Sequence, residues 1–210
     1  QIPLNSNYDQ VPDIMADKTV TVGDYDQLRE QNGKPFFLNA GNNSHFIIQY
    51  DETLMKDILA HVDQLDAIAQ LQILQDLRLL ADGRQNSYAN IVPLLPQFAG
   101  SHSNIVNAAL YRVAGNLKKF VAPKSTEKHQ LQAFFNQLSA GQLDRLGWNP
   151  KPGESNDDQL TRPYVLSAAL YAENADAMAS AHSLFKTNQS DLAAFPAGIR
   201  VFILINEVKN

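Results

Sequence analysis

From position 51 onward, apolar residues return every three or four positions, the spacing of one face of an α-helix. Leu54, Ile58, Val62 and Leu65 open the series; Ile68, Leu71, Leu74, Leu77 and Leu80 continue it on a second helix with Gly83 as its stop. Ile91, Leu94, Leu95 and Phe98 make a shorter stripe, interrupted by Pro93 and Pro96. Ile105, Ala109, Val113, Leu117 and Phe120 form an amphipathic helix that ends near Pro123. Ser125 or Thr126 caps the next helix, which carries Leu131, Phe134, Phe135 and Leu138. Leu166, Ala169 and Leu170 follow, then Ala177, Met178, Ala181, Leu184 and Phe185, and finally Ile199, Phe202, Ile203 and Ile205. The pattern predicts about eight helices with short connections, packed as antiparallel pairs or as an α-solenoid. No repeat of fixed period is visible.

Residues 1–50 have a different period. KTVTVGDYDQL alternates apolar and polar positions and contains β-branched Val and Thr, which predicts a strand. PFFLNAGNNSHFIIQYD predicts a hairpin: a strand, a polar turn over 40–44 built on Asn and Gly, and a second strand over 45–50. An isolated hairpin is marginal, so this region needs partners from the helices or from outside. The expected fold class is therefore mainly α. A helical-pair or solenoid-like domain over 51–210 is preceded by a short β region over 1–50.

Composition adds boundaries. The chain has 210 residues with 44% hydrophobic and 19% charged, enough for a substantial core. A net charge of -5 with no basic run argues against nucleic acid as a partner. The absence of cysteine excludes a disulfide framework, a thiolate zinc site and a cysteine nucleophile. No apolar stretch reaches the ~18 residues that a bilayer span requires, and no membrane partner is expected. The first residue is Gln1 and the last helix ends in NEVKN without a capping signal. Both ends are expected to belong to a longer chain, with the helical domain incomplete at its C-terminus.

Candidate chemistry is sparse. The histidines His45, His61, His102, His129 and His182 include no pair four apart, so a His-Glu-x-x-His zinc helix is absent. AGSHSN places Ser beside His, yet sequence adjacency makes no triad, and Ser103 is expected to cap a helix instead. One stretch concentrates charge: LGWNPKPGESNDDQLTRPYVLSAAL, residues 146–170, holds Glu154, Asp157, Asp158 and Arg162. Neighbours at i and i+1 do not face each other on a helix, so Asp157 and Asp158 suit a helix start better than an acid/base pair. Arg162 is expected to bridge back to Asp158 at i, i+4. Leu146 and Trp148 are expected to anchor the turn, with Pro150, Pro152 and Gly153 shaping the loop. Pro163 implies that the helix begins near Thr161 or bends there. Phe36, Phe37, Phe46, Phe134 and Phe135 lie in apolar runs and are expected to be core.

LNAGNNSHFIIQYD (38–51), QLQILQDLRLLADGRQNSY (70–88) and the stretch from Leu146 occur in an order and spacing that resemble the C-terminal half of the aminopeptidase N family of zinc metallopeptidases. The first is similar to the segment where that family's small β-sandwich closes on Tyr-Asp, although Ile47 or Ile48 stands where the family often has Arg. The second is similar to its first long C-terminal helix, with Asp76, Leu80, Ala81 and Gly83. The third matches Leu-Gly-Trp, a Gly-Glu loop and Leu-x-Arg, followed by Ala181, Leu184 and Phe185. LYAENAD and LINEVKN are similar to the lactic acid bacterial branch of the family.

The resemblance implies a parent enzyme that removes N-terminal residues from peptides, using zinc held by a His-Glu-x-x-His helix and a distant Glu. Those motifs are not in this sequence, so no catalytic, cofactor-binding or metal residue is carried over. It further implies that 1–50 is the remnant of a β-sandwich, and that 51–210 covers the active-site chamber in a cytoplasmic enzyme. The implied partners are the catalytic domain of the same parent chain and the peptide substrates of the intact enzyme. The alternative is an independent α-helical scaffold that binds a peptide or protein.

Overall fold

The computed structural model describes residues 1–209, with side chains through position 208. The chain is mainly α and divides into two compact units, Gln1–Phe98 and Ala99–Asn210. The boundary expected at residue 50 follows a change of hydrophobic period, whereas these units follow packing.

The first unit begins with β1 (Ile2–Pro3) and β2 (Ile14–Met15), an antiparallel pair with Ile2 opposite Met15. Four helices follow: α1 (Tyr25–Asn32), α2 (Glu52–Ala60), α3 (Ala67–Asp82) and the short α4 (Tyr88–Ile91). Val92–Phe98 then continues as a 3-10 helix containing Pro96. Asp51, Asp66 and Ser87 each accept a backbone N–H at the start of α2, α3 and α4, satisfying amides that a helix cannot bond internally. Ile58, Ile73, Leu74, Leu77, Ile91, Leu95 and Phe98 are buried and belong to this unit's core.

The strand expectations for this unit do not hold in detail. Tyr25–Asn32 is a helix because Asp24 caps it, accepting from Gln27 N at 3.2 Å, and Gly33 closes it at φ +65. The alternation ahead of it belongs to irregular chain, in which Val20 and Val22 line an apolar pocket of about 330 Å³. The turn in the expected hairpin exists, with Asn39, Gly41 and Asn42 at positive φ. Its two arms are not strands, however. Asn39 N donates to Leu4 O at 2.8 Å and Asn7 N to Phe37 O at 3.1 Å, so the first arm pairs with the N-terminal segment. The second arm is held by side chains: Tyr50 Oη accepts from Leu38 N, and Asp76 accepts from Ile48 N.

The second unit contains α5 (Asn104–Asn116), a 3-10 turn at Leu117–Phe120, α6 (Thr126–Leu146), α7 (Asn156–Tyr171), α8 (Ala175–Asn188) and α9 (Ala197–Lys209). Ser125 caps α6, accepting from Lys128 N at 3.1 Å, as its position in the sequence implied. Helix α7 packs on α5, α6, α8 and α9. Trp148, Leu166, Ala181, Phe195, Ile199 and Ile203 form one cluster of the core. Gln142 reaches the carbonyls of Ala99 and Ser101 at 3.1 and 2.8 Å and fixes the start of the unit.

Pro163 lies inside α7, which begins at Asn156 rather than near Thr161. A proline there removes the donor for the carbonyl of Gln159, but Gln159 is exposed and water can replace it. On the other side, a Cβ on Gly198 would lie 3.6 Å from Pro163 Cγ, so α9 passes close over the proline ring.

Candidate functional site

The charged stretch after Leu146 folds as a clasp. Helix α6 stops at Gly147, which sits at φ +60 and donates to Leu143 O at 2.8 Å. Trp148 turns inward and is 8% exposed. Gly153, at φ +74, bends the loop back, and Ser155 caps α7 by accepting from Asp158 N at 3.1 Å. Two turns into α7, Arg162 is buried beneath the loop. Its Nε donates to Gly147 O at 3.1 Å, and its Nη2 donates to Leu146 O at 3.4 Å and to Glu154 Oε1. One guanidinium therefore holds both ends of the loop, a task suited to its rigid fork of donors.

The sequence expectation that Arg162 pairs with Asp158 is corrected. Asp158 pairs instead with Arg145 Nη1 on α6 at 2.6 Å, and Arg145 Nε donates to Gln142 at 2.8 Å. The i, i+4 contact fails because Arg162 points inward to loop carbonyls while Asp158 points toward α6. Asp157 lies in the first turn of α7, as expected, and does a second job. Its Oδ1 accepts from Asn104 N at 2.9 Å and from Asn104 Nδ2 at 2.6 Å. It thereby takes the capping role expected of Ser103, whose side chain makes no capping bond. The four charged residues are thus spent on loop and helix ends. Buried polar atoms without a protein partner remain beside them: Glu154 Oε2, Trp148 Nε1 and Thr161 Oγ1.

In the first unit, Asp57 on α2 gathers a set that the sequence did not reveal. Tyr25 Oη and Arg29 Nε each donate to Asp57 Oδ2 at 2.6 Å, and His61 Nδ1 lies 3.1 Å from Oδ1. Burial opposes ionisation of Asp57, but the hydrogen bonds from Arg29 and Tyr25 outweigh it and hold the carboxyl below its usual range. The only sequence signal was i, i+4 spacing within Tyr25/Arg29 and within Asp57/His61. His182 makes a second histidine–carboxylate pair, with Glu207 at 3.0 Å. Neither pair fits a zinc ion: each offers two donors, and Asp57 is committed to Arg29 and Tyr25. Among the described residues no group of three or more His, Cys, Asp or Glu could hold a metal.

A cleft of about 850 Å³ opens in the first unit, with Tyr50, Met55, Leu59, Leu77 and Leu94 among its apolar lining and Glu52 and Lys56 among its charged lining. Asp76 on α3 binds Ile48 at one end of the segment that borders this cleft. Burial pushes its carboxyl up to about 6, against partial compensation from Ile48 N–H and Gln72.

The helical architecture and the sequence define the class. Residues 35–210 match the family described as ERAP1-like C-terminal domain, and the chain belongs to that family. Across all 210 residues it is 56% identical to aminopeptidase N of Lactobacillus helveticus and 51% identical to aminopeptidase N of Lactobacillus delbrueckii subsp. lactis, covering 25% of each. A more distant relative is aminopeptidase 2, mitochondrial, of Saccharomyces cerevisiae, 23% identical over 192 residues, or 90% of this chain and 20% of that protein. The chain spans about a quarter of the length of the first two relatives.

Proposed function

We propose that the chain is the C-terminal part of a zinc-dependent aminopeptidase that removes N-terminal residues from peptides in the cytoplasm. In this reading its helices cover the active-site chamber and exclude water and bulky substrates, a role that needs no catalytic group of its own. Residues 1–50 would then be the end of a β-sandwich and 51–210 part of the helical cover. Zinc would be held by the catalytic domain of the same parent chain, which is also this chain's partner.

The observation that carries the reading is identity to aminopeptidase N over the whole chain. The use of Glu154, Asp157, Asp158 and Arg162 as loop and helix ties is consistent with it. The test is to purify the 210-residue chain and assay aminoacyl-anilide hydrolysis and zinc content. No turnover and no stoichiometric zinc are expected; zinc-dependent turnover would overturn the reading. Co-purification with the catalytic part of an aminopeptidase N would support it, and capture of an unrelated partner would favour an independent scaffold.

A further inference from the structure

The segment over 45–50 is tied down at few points. It is neither helix nor strand, and among the described residues its backbone makes one hydrogen bond. In that bond Ile48 N donates to Asp76 Oδ2 on α3 at 3.3 Å, the long end of the usual range. The Tyr50 side chain supplies a second tie, its Oη accepting from Leu38 N at 3.1 Å. Ile48 and Tyr50 are buried, while His45, Ile47 and Gln49 are exposed. Ile48, Gln49 and Tyr50 also line the cleft of about 850 Å³, so the segment is one of its walls.

The groups beneath this wall are polar and buried. Asp76 is 7% exposed, and Gln72, one turn earlier on α3, is 2% exposed. The Gln72 side chain bonds Asp76 and donates to Leu38 O at 3.4 Å, but its Oε1 has no protein partner. Tyr50 is the titratable group that faces Asp76. Asp51, Glu52 and Lys56, the charges lining the cleft, make no bond to it, and among the described residues no Lys, Arg or His forms an ion pair with it. A carboxylate in this place has lost its water in exchange for one long N–H bond and one amide, so its charge is poorly held. Lifting 45–50 off α3 admits water to Asp76 and to Gln72 Oε1 together, and breaks only the Ile48 and Tyr50 ties and their packing. We propose that 45–50 is a proton-controlled strap: with a proton on Asp76 it lies closed on α3, and ionisation of Asp76 drives it outward and moves the cleft wall with it. Burial that pushes the carboxyl up to about 6 agrees with this geometry. The closed strap holds the proton more tightly than the open one, so closure is strongest below about pH 3.8 and weakens as pH rises through about 6. The strap does not depend on the peptidase reading.

The experiment is native-state hydrogen exchange by NMR on the full 210-residue chain at about pH 5 and about pH 7.5, with rates referred to those of an unstructured chain at the same pH. The amides of Ile48 and Leu38 report the strap, and that of Leu74, inside α3, reports global unfolding. Protection at Ile48 and Leu38 should fall about tenfold from the lower to the higher pH. Low urea promotes each opening in proportion to the surface it exposes, so it should speed exchange at Leu74 and leave Ile48 and Leu38 nearly unchanged. Asp76→Asn should abolish the pH response at both strap amides. The proposal is overturned by strap protection that ignores pH, that follows urea as steeply as Leu74, or that keeps its pH response in Asp76→Asn. The first two outcomes are read on the unaltered chain.

Discussion

Glu154 and Arg162 form a buried ion pair, each side chain 4% exposed, across the loop that joins α6 to α7. Removing one partner leaves a buried charge or donor uncompensated, which costs more than the pair itself contributes. Glu154→Gln and Arg162→Met should each destabilise the second unit by about 3 kcal/mol. Glu154→Leu combined with Arg162→Met should cost clearly less than the sum of the single changes. Urea unfolding followed through Trp148, the only tryptophan, provides the measurement; additive costs would contradict a coupled pair.

Asp157 serves the start of α5 as well as that of α7. Asp157→Ala should cost about 1 kcal/mol, the usual loss for a helix-start acceptor. Asp157→Asn retains an acceptor oxygen and should recover most of that loss. Hydrogen exchange at Asn104 distinguishes this cap from a general effect: the amide should lose protection in the alanine variant only.

Asp76 makes the first unit sensitive to pH. Its folded-state pKa is raised to about 6 from 3.8, so the folded state holds the proton more tightly than the unfolded state. The stabilisation that results is complete below about pH 3.8, falls as pH rises through 6, and is absent above that range. Allowing for partial solvent screening, a displacement of that size changes stability by about 2 kcal/mol across the window. Asp76→Asn, which retains an acceptor for Ile48 N, should flatten melting temperature against pH between about 4 and 7 and raise it at neutral pH. The same slope in both proteins would count against Asp76 as the source.

Thr161 is fully buried and its hydroxyl has no protein partner. Thr161→Val keeps the shape and removes the unpaired polar group, so the variant should be more stable by about 1 kcal/mol. A loss of stability in a thermal melt would mean that the hydroxyl bonds to an ordered water.

The helices were legible because their apolar residues repeat at the helical period and their ends carry capping residues such as Ser125 and Gly83. The β region was not. Val20 and Val22 alternate as a strand would, yet they line a pocket instead of pairing, because Asp24 and Gly33 commit the next residues to a helix. Tyr50 and Asp76 hold the 45–50 segment by single long-range bonds that leave no periodic trace. The role of the loop after Leu146 was readable in outline: Trp148 anchors it and the aspartates start a helix. The pairing within it was not readable, since Glu154 and Asp158 both precede Arg162 and only burial decides between them. The Asp57 set was not readable because it joins Tyr25 and Arg29, within and just beyond a stretch that alternates like a strand, to a separate helix.

The clasp fixes its loop from beneath, through Gly147, Leu146 and Glu154, while Asn149, Pro150, Lys151, Pro152 and Gly153 remain exposed. Order and sequence are therefore separated along this loop. Its ends are tied to α7, and its outer turn carries little of the packing. The junction between Asn149 and Pro150 is a natural place to splice in an epitope or a fluorophore-bearing segment, because a longer turn there still returns to the same arginine.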